Sequence, residues 1–253
     1  MSRVVVVSGG GTGIGRAVAH RFADAGDRVV VVGRRVDVLE RTAAEINAST
    51  GSGLVSSLTA DLAEPREAVR VAETVVARHG QVDVLVNNAG GNVEIGAPDG
   101  ATTGVEGAAW HWLGNFRSNV LTAVLLTEAL KDALPAGARV VLVSSIAAYR
   151  GSGSGSYAGS KAALHPYAYD LAAQLGPKGV TVNVVAPGYV AETEFFANRL
   201  SPERERMLVG QTSTGRASTP ADVANSVFWL ASPEADQVTA QIVQVNGGAL
   251  AGR

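Results

Sequence analysis

The chain has 253 residues, of which 46% are hydrophobic and 17% are charged, and its formal net charge is -2. These values fit one large α/β domain, and the balanced, interspersed charge argues against a nucleic-acid-binding or membrane-surface protein. The chain contains no cysteine, which excludes disulfides, thiolate nucleophiles and cysteine metal sites and is consistent with a cytoplasmic protein.

Seven short apolar runs, rich in β-branched side chains, are spaced along the chain. The first begins at Val4 and is too short for a signal peptide or a membrane span. Because nearly every position in the runs is apolar, we expect parallel strands that are buried on both faces. The runs are Val4–Val7, Val29–Val32, Leu54–Leu58, Val82–Val86, Val140–Val143, Val180–Val185 and Ile242–Val245.

Longer segments with helical periodicity lie between these runs. The alternation predicts a single-domain, doubly wound Rossmann fold with a seven-stranded parallel sheet, over residues 1–253. Pro166 is expected to bend the helix that contains it. The predicted helices are Arg16–Ala25, Val38–Ala48, Arg66–Arg78, Ala108–Leu134, Ala158–Leu175 and Ala221–Ala231.

A glycine-rich turn with the spacing GxxxGxG follows the first predicted strand. Glycine permits a tight turn and lets the backbone approach a pyrophosphate, while the next helix directs its N-terminal amides at the phosphates. Such a turn can also bind nothing, but its position after the first strand of this fold favours dinucleotide binding. The expected cofactor contacts are Ser8, Gly9, Gly11, Thr12, Gly13, Ile14 and Gly15.

The second predicted strand ends in Arg34 and Arg35 with no carboxylate beside them. An NAD site usually has an acidic residue here, whereas guanidinium groups match the 2′-phosphate of NADP. The alternative is that both arginines are simply solvated at a strand end. We interpret the pair as a preference for NADP(H), with Asp61 and Leu62 after the third strand as weaker candidates for contact with the adenine.

Four further motifs follow in order along the chain: Asn87-Asn-Ala-Gly90, Tyr157-Ala-Gly-Ser-Lys161, Pro187-Gly188 and Val245-Asn-Gly-Gly248. Together with the glycine turn, they resemble the compact branch of the short-chain dehydrogenase/reductase family, including 3-oxoacyl-(acyl-carrier-protein) reductases and polyketide-type ketoreductases. The resemblance implies a small-molecule ketone or alcohol substrate and a homodimer or homotetramer. The further cofactor contacts that it implies are Asn87, Ala89, Gly90, Tyr157, Lys161, Pro187, Gly188, Val190 and Thr193.

The same resemblance places the catalytic tetrad of the family on Asn119, Ser145, Tyr157 and Lys161. The lysine lies one helical turn from the tyrosine, so we expect it to favour the phenolate and to let Tyr157 exchange a proton with the substrate. Ser145 would position the reacting oxygen, and Asn119 would hold a water that links Lys161 to solvent. Ser144 restores the usual spacing of the family to the tyrosine, but Ser145 fits the strand end better and is preferred.

Each of these residues also has a simpler interpretation. A Tyr–Lys pair at helical spacing is often a surface contact, and an asparagine within a helix is often an exposed polar residue. The four histidines show no metal-ligand spacing, and we expect no metal. Thr193 is displaced by one residue from the usual position of the family, which weakens its assignment to the nicotinamide carboxamide.

Two loops that follow predicted strands, residues 90–107 and 188–218, are unusually long and are expected to contact the substrate. The second contains Phe195, Phe196 and a helix-like stretch near Pro202–Val209. We expect the Gly-Ser segment 151–156 to let the backbone pass close to a ligand. The sequence thus predicts an NADPH-dependent reductase of a 3-oxoacyl or polyketide-like ketone. The alternatives are an NAD(P)+-dependent alcohol dehydrogenase and a non-catalytic NADP(H) sensor.

Overall fold

A seven-stranded, all-parallel sheet organises this computed structural model, which describes residues 2–95, 103–196 and 200–251. All seven apolar runs form strands, in the order β3-β2-β1-β4-β5-β6-β7, and the predicted doubly wound fold is confirmed. The strands are β1 Val4–Ser8, β2 Arg28–Gly33, β3 Val55–Thr59, β4 Val84–Asn87, β5 Arg139–Val143, β6 Thr181–Pro187 and β7 Ile242–Val245.

Helices cover both faces of the sheet. Alternate residues of one strand enter opposite cores, because successive side chains of a strand point to opposite faces. Val5 packs in the same cluster as Phe22, and Val6 packs in the other cluster with Leu126. The helices are α1 Gly13–Asp24, α2 Val36–Thr50, α3 Pro65–His79, α4 Gly104–Phe116, α5 Thr122–Leu130, α6 Ala147–Arg150, α7 Gly155–Leu175, α8 Pro202–Gly210 and α9 Pro220–Leu230.

The prediction of one continuous helix over Ala108–Leu134 is wrong, because this region contains several helical segments. Helices α4 and α5 are joined by a π-helical segment, Arg117–Leu121, and a 3-10 turn, Lys131–Ala133, follows α5. A π turn accommodates an extra residue, and such segments are frequent at functional sites. Helix α7 continues through Pro166, and its bend there stays a prediction.

The sheet order reverses between β1 and β4, which are neighbours. In open α/β sheets, ligands bind at this switch point, beyond the carboxyl ends of the strands. The predicted helix near Pro202–Val209 is present as α8, in the segment that follows β6. Within the part of the chain that the structure describes, no helix has the length and apolar character needed to cross a bilayer.

Candidate active site

A cavity of about 1000 Å³ lies along the carboxyl edge of the sheet. The glycine turn, Arg34 and Arg35 line it, and so does Tyr157. Parts of both predicted substrate loops contribute to its wall, although residues 96–102 and 197–199 lie outside the described residues. The predicted site residues that line it are Gly9, Gly11, Thr12, Gly13, Ile14, Arg34, Arg35, Asp61, Leu62, Ala89, Gly90, Ser145, Tyr157, Lys161, Pro187, Gly188, Val190 and Thr193.

Four predicted site residues do not line this cavity, as formed by the described residues: Ser8, Gly15, Asn87 and Asn119. The Ser8 hydroxyl is fully buried and accepts hydrogen bonds from the amides of Asn88 and Ala89, both at 3.0 Å. The Asn87 amide group donates to Thr127 Oγ1 at 2.8 Å. These bonds join β1, β4 and α5, and a contact of Ser8 or Asn87 with the cofactor stays a prediction.

The glycine turn has the geometry of an anion site. Gly9 has φ +64°, and a Cβ there would approach Ala89 Cα to 2.9 Å. A Cβ on Gly15 would collide with the carbonyl oxygen of Gly9, so only glycine lets α1 start this close to the turn. The first amides of α1 have no intrahelical partner, and the helix dipole favours a negative group in front of them.

Arg34 and Arg35 beside this turn are both exposed, and Arg35 forms an ion pair. Arg35 Nη2 lies 2.8 Å from Glu194 Oε2, although the two residues are 159 positions apart in the sequence. Asp61 is paired with Arg117, with an Nη2–Oδ2 distance of 3.0 Å. Sequence reasoning missed both partners because they are brought in by later segments of the chain. Exposed pairs of this kind contribute little to stability, since water screens them.

Tyr157 lies in the first turn of α7 with only 6% of its surface exposed. Its backbone amide donates to the Oγ of Ser154, which caps the helix. Burial raises the pKa of the Tyr157 phenol to about 12, and a side-chain hydrogen bond from Ser145 partly opposes this rise. The phenol is therefore neutral at pH 7 and holds a proton.

Lys161 follows one turn later and is also buried, with 4% of its surface exposed. Its Nζ donates to the carbonyl oxygen of Val143 at 2.9 Å, and burial lowers the pKa of the lysine to about 8. The expectation that Lys161 lowers the pKa of Tyr157 differs from the structure. The ammonium is bonded to the end of β5, and burial dominates the pKa of the phenol.

The two candidate serines face different partners. Ser144 Oγ donates to the carbonyl oxygen of Lys161 at 3.0 Å and lies 2.8 Å from His165 Nε2. The Ser145 side chain hydrogen-bonds Tyr157, and its Oγ also accepts from the amide of Ala147 at 3.1 Å. Both serines line the cavity, but this geometry favours Ser145 as the serine of the site, because the hydroxyl of Ser144 is hydrogen-bonded to Lys161 and His165 of α7.

Asn119 is buried in the π-helical segment, so its interpretation as an exposed polar residue is wrong. Its Nδ2 donates to the carbonyl oxygen of Gly91 at 2.8 Å and to Ser160 Oγ at 3.1 Å, and its Oδ1 accepts from the Gly91 amide at 2.9 Å. A Cβ on Gly90 would overlap Asn119 Oδ1 and lie 3.1 Å from Lys161 Nζ. The asparagine and the lysine therefore meet around this glycine.

The segment after β6 covers the cavity. Thr193 lies against Gly13, since a Cβ on that glycine would be 3.4 Å from Thr193 Cγ2. The preceding residue, Glu192, has φ +59°, a left-handed conformation that is uncommon without glycine. The ring of Phe195 contacts that of Tyr157, with a centroid distance of 5.5 Å. The predicted apolar wall at Phe195 is thus in direct contact with the buried phenol.

Comparison with known proteins gives relatives along nearly the whole chain. The short-chain reductase protein NovJ of Streptomyces niveus is 32% identical over 97% of this chain and 93% of that protein. The 3-oxoacyl-[acyl-carrier-protein] reductase FabG of Escherichia coli K12 is 30% identical over 97% and 96%. A blue fluorescent protein from a metagenomic library, solved in complex with NADPH, is 30% identical, covers 98% of both chains and gives a TM-score of 0.86.

A family model also matches nearly the whole chain. Residues 9–249 match the model described as enoyl-(acyl carrier protein) reductase, a span that begins in the glycine turn and ends beyond β7. The sheet order, the switch-point cavity and the Tyr157–Lys161 turn agree with this match. The chain belongs to the short-chain dehydrogenase/reductase family of oxidoreductases.

Proposed function

We propose that this chain is an NADPH-dependent ketoreductase, which reduces a ketone to a secondary alcohol. One observation carries the proposal: a single cavity joins a glycine turn and two arginines to the cluster of Ser145, Tyr157 and Lys161. The glycine turn and the arginines fit a phosphate-bearing cofactor. The cluster of Ser145, Tyr157 and Lys161 fits proton transfer to a substrate oxygen.

The residues of the turn fit a dinucleotide. The pyrophosphate would be held by the backbone of Gly9–Gly15 and the first amides of α1, where any Cβ at Gly9 or Gly15 would intrude. Arg34 and Arg35 would hold a 2′-phosphate, which matches their paired donors. The bound NADPH supplies the hydride for the carbonyl carbon.

The protein side chains supply the proton. Ser145 donates a hydrogen bond to the ketone oxygen and holds it beside the phenol. Tyr157 gives its proton to that oxygen as the carbon gains the hydride, which leaves an alcohol and a phenolate. With a pKa of about 8, Lys161 is mostly cationic at pH 7, and it would hold the nicotinamide ribose hydroxyls of the cofactor.

We infer that the substrate is a 3-oxoacyl or polyketide-like ketone. The similarity to a 3-oxoacyl reductase supports this class, and so do the apolar side chains Val93, Ile95 and Phe195 on the wall of the cavity. Oxidation of a secondary alcohol with NAD(P)+ uses the same residues in reverse and is the second candidate. A non-catalytic NADP(H) sensor is the third, and the presence of both Tyr157 and Lys161 counts against it.

The test is the oxidation of NADPH, with NADH in parallel, across β-keto thioesters, cyclic diketones and aromatic ketones. We expect turnover with at least one class and faster turnover with NADPH. Alcohols with NADP+ are assayed beside them to test the second candidate. Tight NADPH binding, with no turnover of any ketone or alcohol, would contradict the enzymatic proposal and favour the sensor.

We further propose a homodimer or homotetramer that forms through the α4–α5 region. Large apolar side chains are exposed there, including Val105 at 82% and Leu113 at 72% of their surface, together with Trp112 and Phe116. Several large apolar side chains exposed on one helix, two of them with their rings in contact, favour an interface at this surface. Light scattering after gel filtration should give a dimer or tetramer mass, and Leu113→Glu should reduce it. A monomeric wild-type chain would contradict the proposal.

A further inference from the structure

Glu94 lies in the loop that follows β4, between two residues of the cavity wall. Its neighbours Val93 and Ile95 line the cavity, whereas Glu94 does not. Its Oε1 instead accepts hydrogen bonds from Ser154 Oγ and Ser156 Oγ, both at 2.5 Å. The carboxylate therefore points toward the Gly-Ser segment that precedes the tyrosine.

Ser154 is the N-cap of α7, and Ser156 lies in its first turn. Both are buried, and Ser154 also caps the helix by accepting from the amide of Tyr157 at 3.4 Å. An ionised carboxylate can only accept, so both hydroxyl protons are directed at it, and hydrogen bonds to a charged acceptor are stronger than neutral ones. Glu94 thereby connects the wall of the cavity to the helix turn that carries the phenol.

Asn115 of α4 completes the connection from the other side. Its Nδ2 donates to Ser156 Oγ at 2.8 Å, and its Oδ1 accepts from the amide of Val93 at 3.2 Å. Ser156 Oγ thus donates to the carboxylate and accepts from the amide group, which uses its hydrogen-bonding capacity well. The network closes a ring through the loop, α4 and α7.

The geometry points to Glu94 as a positioning residue that fixes the substrate wall relative to Tyr157 by holding Ser154 and Ser156. This inference rests on the proposed ketoreductase function for its kinetic consequence but not for the connection itself. Because small misplacements of reacting groups are costly, loss of the connection should lower kcat/KM by about tenfold to a hundredfold. Cofactor affinity should stay unchanged, since the network does not line the arginine end.

The first experiment measures hydrogen exchange of the full-length protein without any ligand. Glu94→Leu should speed exchange of the amides in residues 91–95 and at the start of α7, while α1 and α9 keep their wild-type protection. Glu94→Gln retains an acceptor oxygen and should restore most of the protection. Glu73→Leu, an exposed glutamate on α3, is the matched control.

The second experiment compares kinetic constants of the same variants on a small and a bulky ketone. Glu94→Leu should lower kcat/KM and change the ratio between the two ketones, with an unchanged Kd for NADPH and rescue by Glu94→Gln. Ser156→Ala should produce part of the same change, and adding it to Glu94→Leu should cause little further loss.

Unchanged exchange in Glu94→Leu would overturn the inference, and so would faster exchange with unaltered kinetics and selectivity. An equal loss of ketone turnover and NADPH affinity would also overturn it, because that pattern marks a general structural defect. If the wild-type protein reduces no ketone, the proposed function fails while the exchange experiment still decides whether Glu94 holds the helix turn.

Discussion

The region around Tyr157 and the region around Arg35 belong to one cavity but are built differently. Tyr157 and Lys161 are 6% and 4% exposed, whereas the side chains of Arg35 and its partner Glu194 are 56% and 62% exposed. Burial shifts the pKa of the tyrosine and of the lysine in opposite directions. The exposed pair is surrounded by water, which weakens its electrostatic interaction.

The difference in burial matches two different tasks of the cavity, chemistry at one end and phosphate recognition at the other. Chemistry at a substrate oxygen requires groups with fixed positions and selected protonation states, and burial provides both. Recognition of a phosphate needs charge and donors that can rearrange when the ligand arrives, which suits exposed arginines. We therefore expect substitutions at the buried end to have large effects and substitutions at the exposed end to have small, salt-dependent ones.

The largest effect is expected for Tyr157→Phe. Phenylalanine preserves the ring contact with Phe195 but has no proton to give, so kcat for ketone reduction should fall by about a hundredfold or more. NADPH binding, followed by its fluorescence, should remain close to that of the wild type. A loss of less than tenfold would show that Tyr157 is not the proton donor.

The second-largest effect is expected in the pH dependence of the free energy of unfolding, because burial of Lys161 lowers stability while the lysine is charged. Its pKa is about 8 in the folded chain against a usual value of 10.5, so between these values the unfolded chain binds more protons and stability rises with pH. Burial of Lys161 does not lower the free energy of unfolding above pH 10.5, where the lysine is neutral in both states. It lowers that free energy increasingly as the pH falls, and the full cost is reached below pH 8. The unfolding free energy of the wild type, relative to Lys161→Met, should therefore increase by about 2 kcal/mol from pH 7 to 9.5.

Chemical denaturation of both proteins at several pH values measures this difference, since other titrating groups cancel between them. A difference that does not change with pH would mean that Lys161 is well solvated. Such a result would remove the contrast between the buried and exposed ends.

A smaller effect is expected for Arg35→Ala at the exposed end. Loss of a guanidinium that holds the 2′-phosphate should weaken NADPH binding by about tenfold and leave NADH binding nearly unchanged. Fluorescence titration with each cofactor measures both affinities, and Arg41→Ala on α2 is a suitable control. Equal weakening for NADPH and NADH would contradict a role in recognising the phosphate.

The smallest effect is expected for Glu194→Gln. This change removes the carboxylate that pairs with Arg35, so NADPH should bind about two- to fivefold more tightly, with a smaller gain at high salt. The same titration at two ionic strengths tests it. Weaker NADPH binding would show that Glu194 helps to form the phosphate site and does not compete for the arginine.

Local patterns in the sequence were sufficient to predict the sheet and the glycine turn. Continuous apolar runs specify buried parallel strands, and Gly9 and Gly15 occupy positions where a Cβ cannot fit. The short stretch of α8 was also identified from sequence. These features depend on residues close together in the chain, which is why a single sequence reveals them.

Features that depend on distant segments were not predictable. The pairing of Arg35 with Glu194 joins residues 159 positions apart, and the buried roles of Ser154 and Ser156 depend on Glu94. The Gly-Ser segment has the composition of an ordinary surface loop, and nothing local shows which of its serines are buried. In the π-helical segment between α4 and α5, Asn119 likewise bonds Gly91, which lies 28 positions earlier in the sequence.

The π-helical segment Arg117–Leu121 affects where the chain can tolerate the deletion of a single residue. A π turn is equivalent to an α-helix with one inserted residue, and each residue of an α-helix turns the chain by about 100°. Deleting one codon here would therefore restore a regular α-helix and keep the residues after it in phase. Leu126 and Leu130 would stay in the core in which they are fully buried, whereas Asn119 would lose the local turn from which it bonds Gly91. The same deletion within α5 would rotate the residues after it by about 100° and take them out of the core.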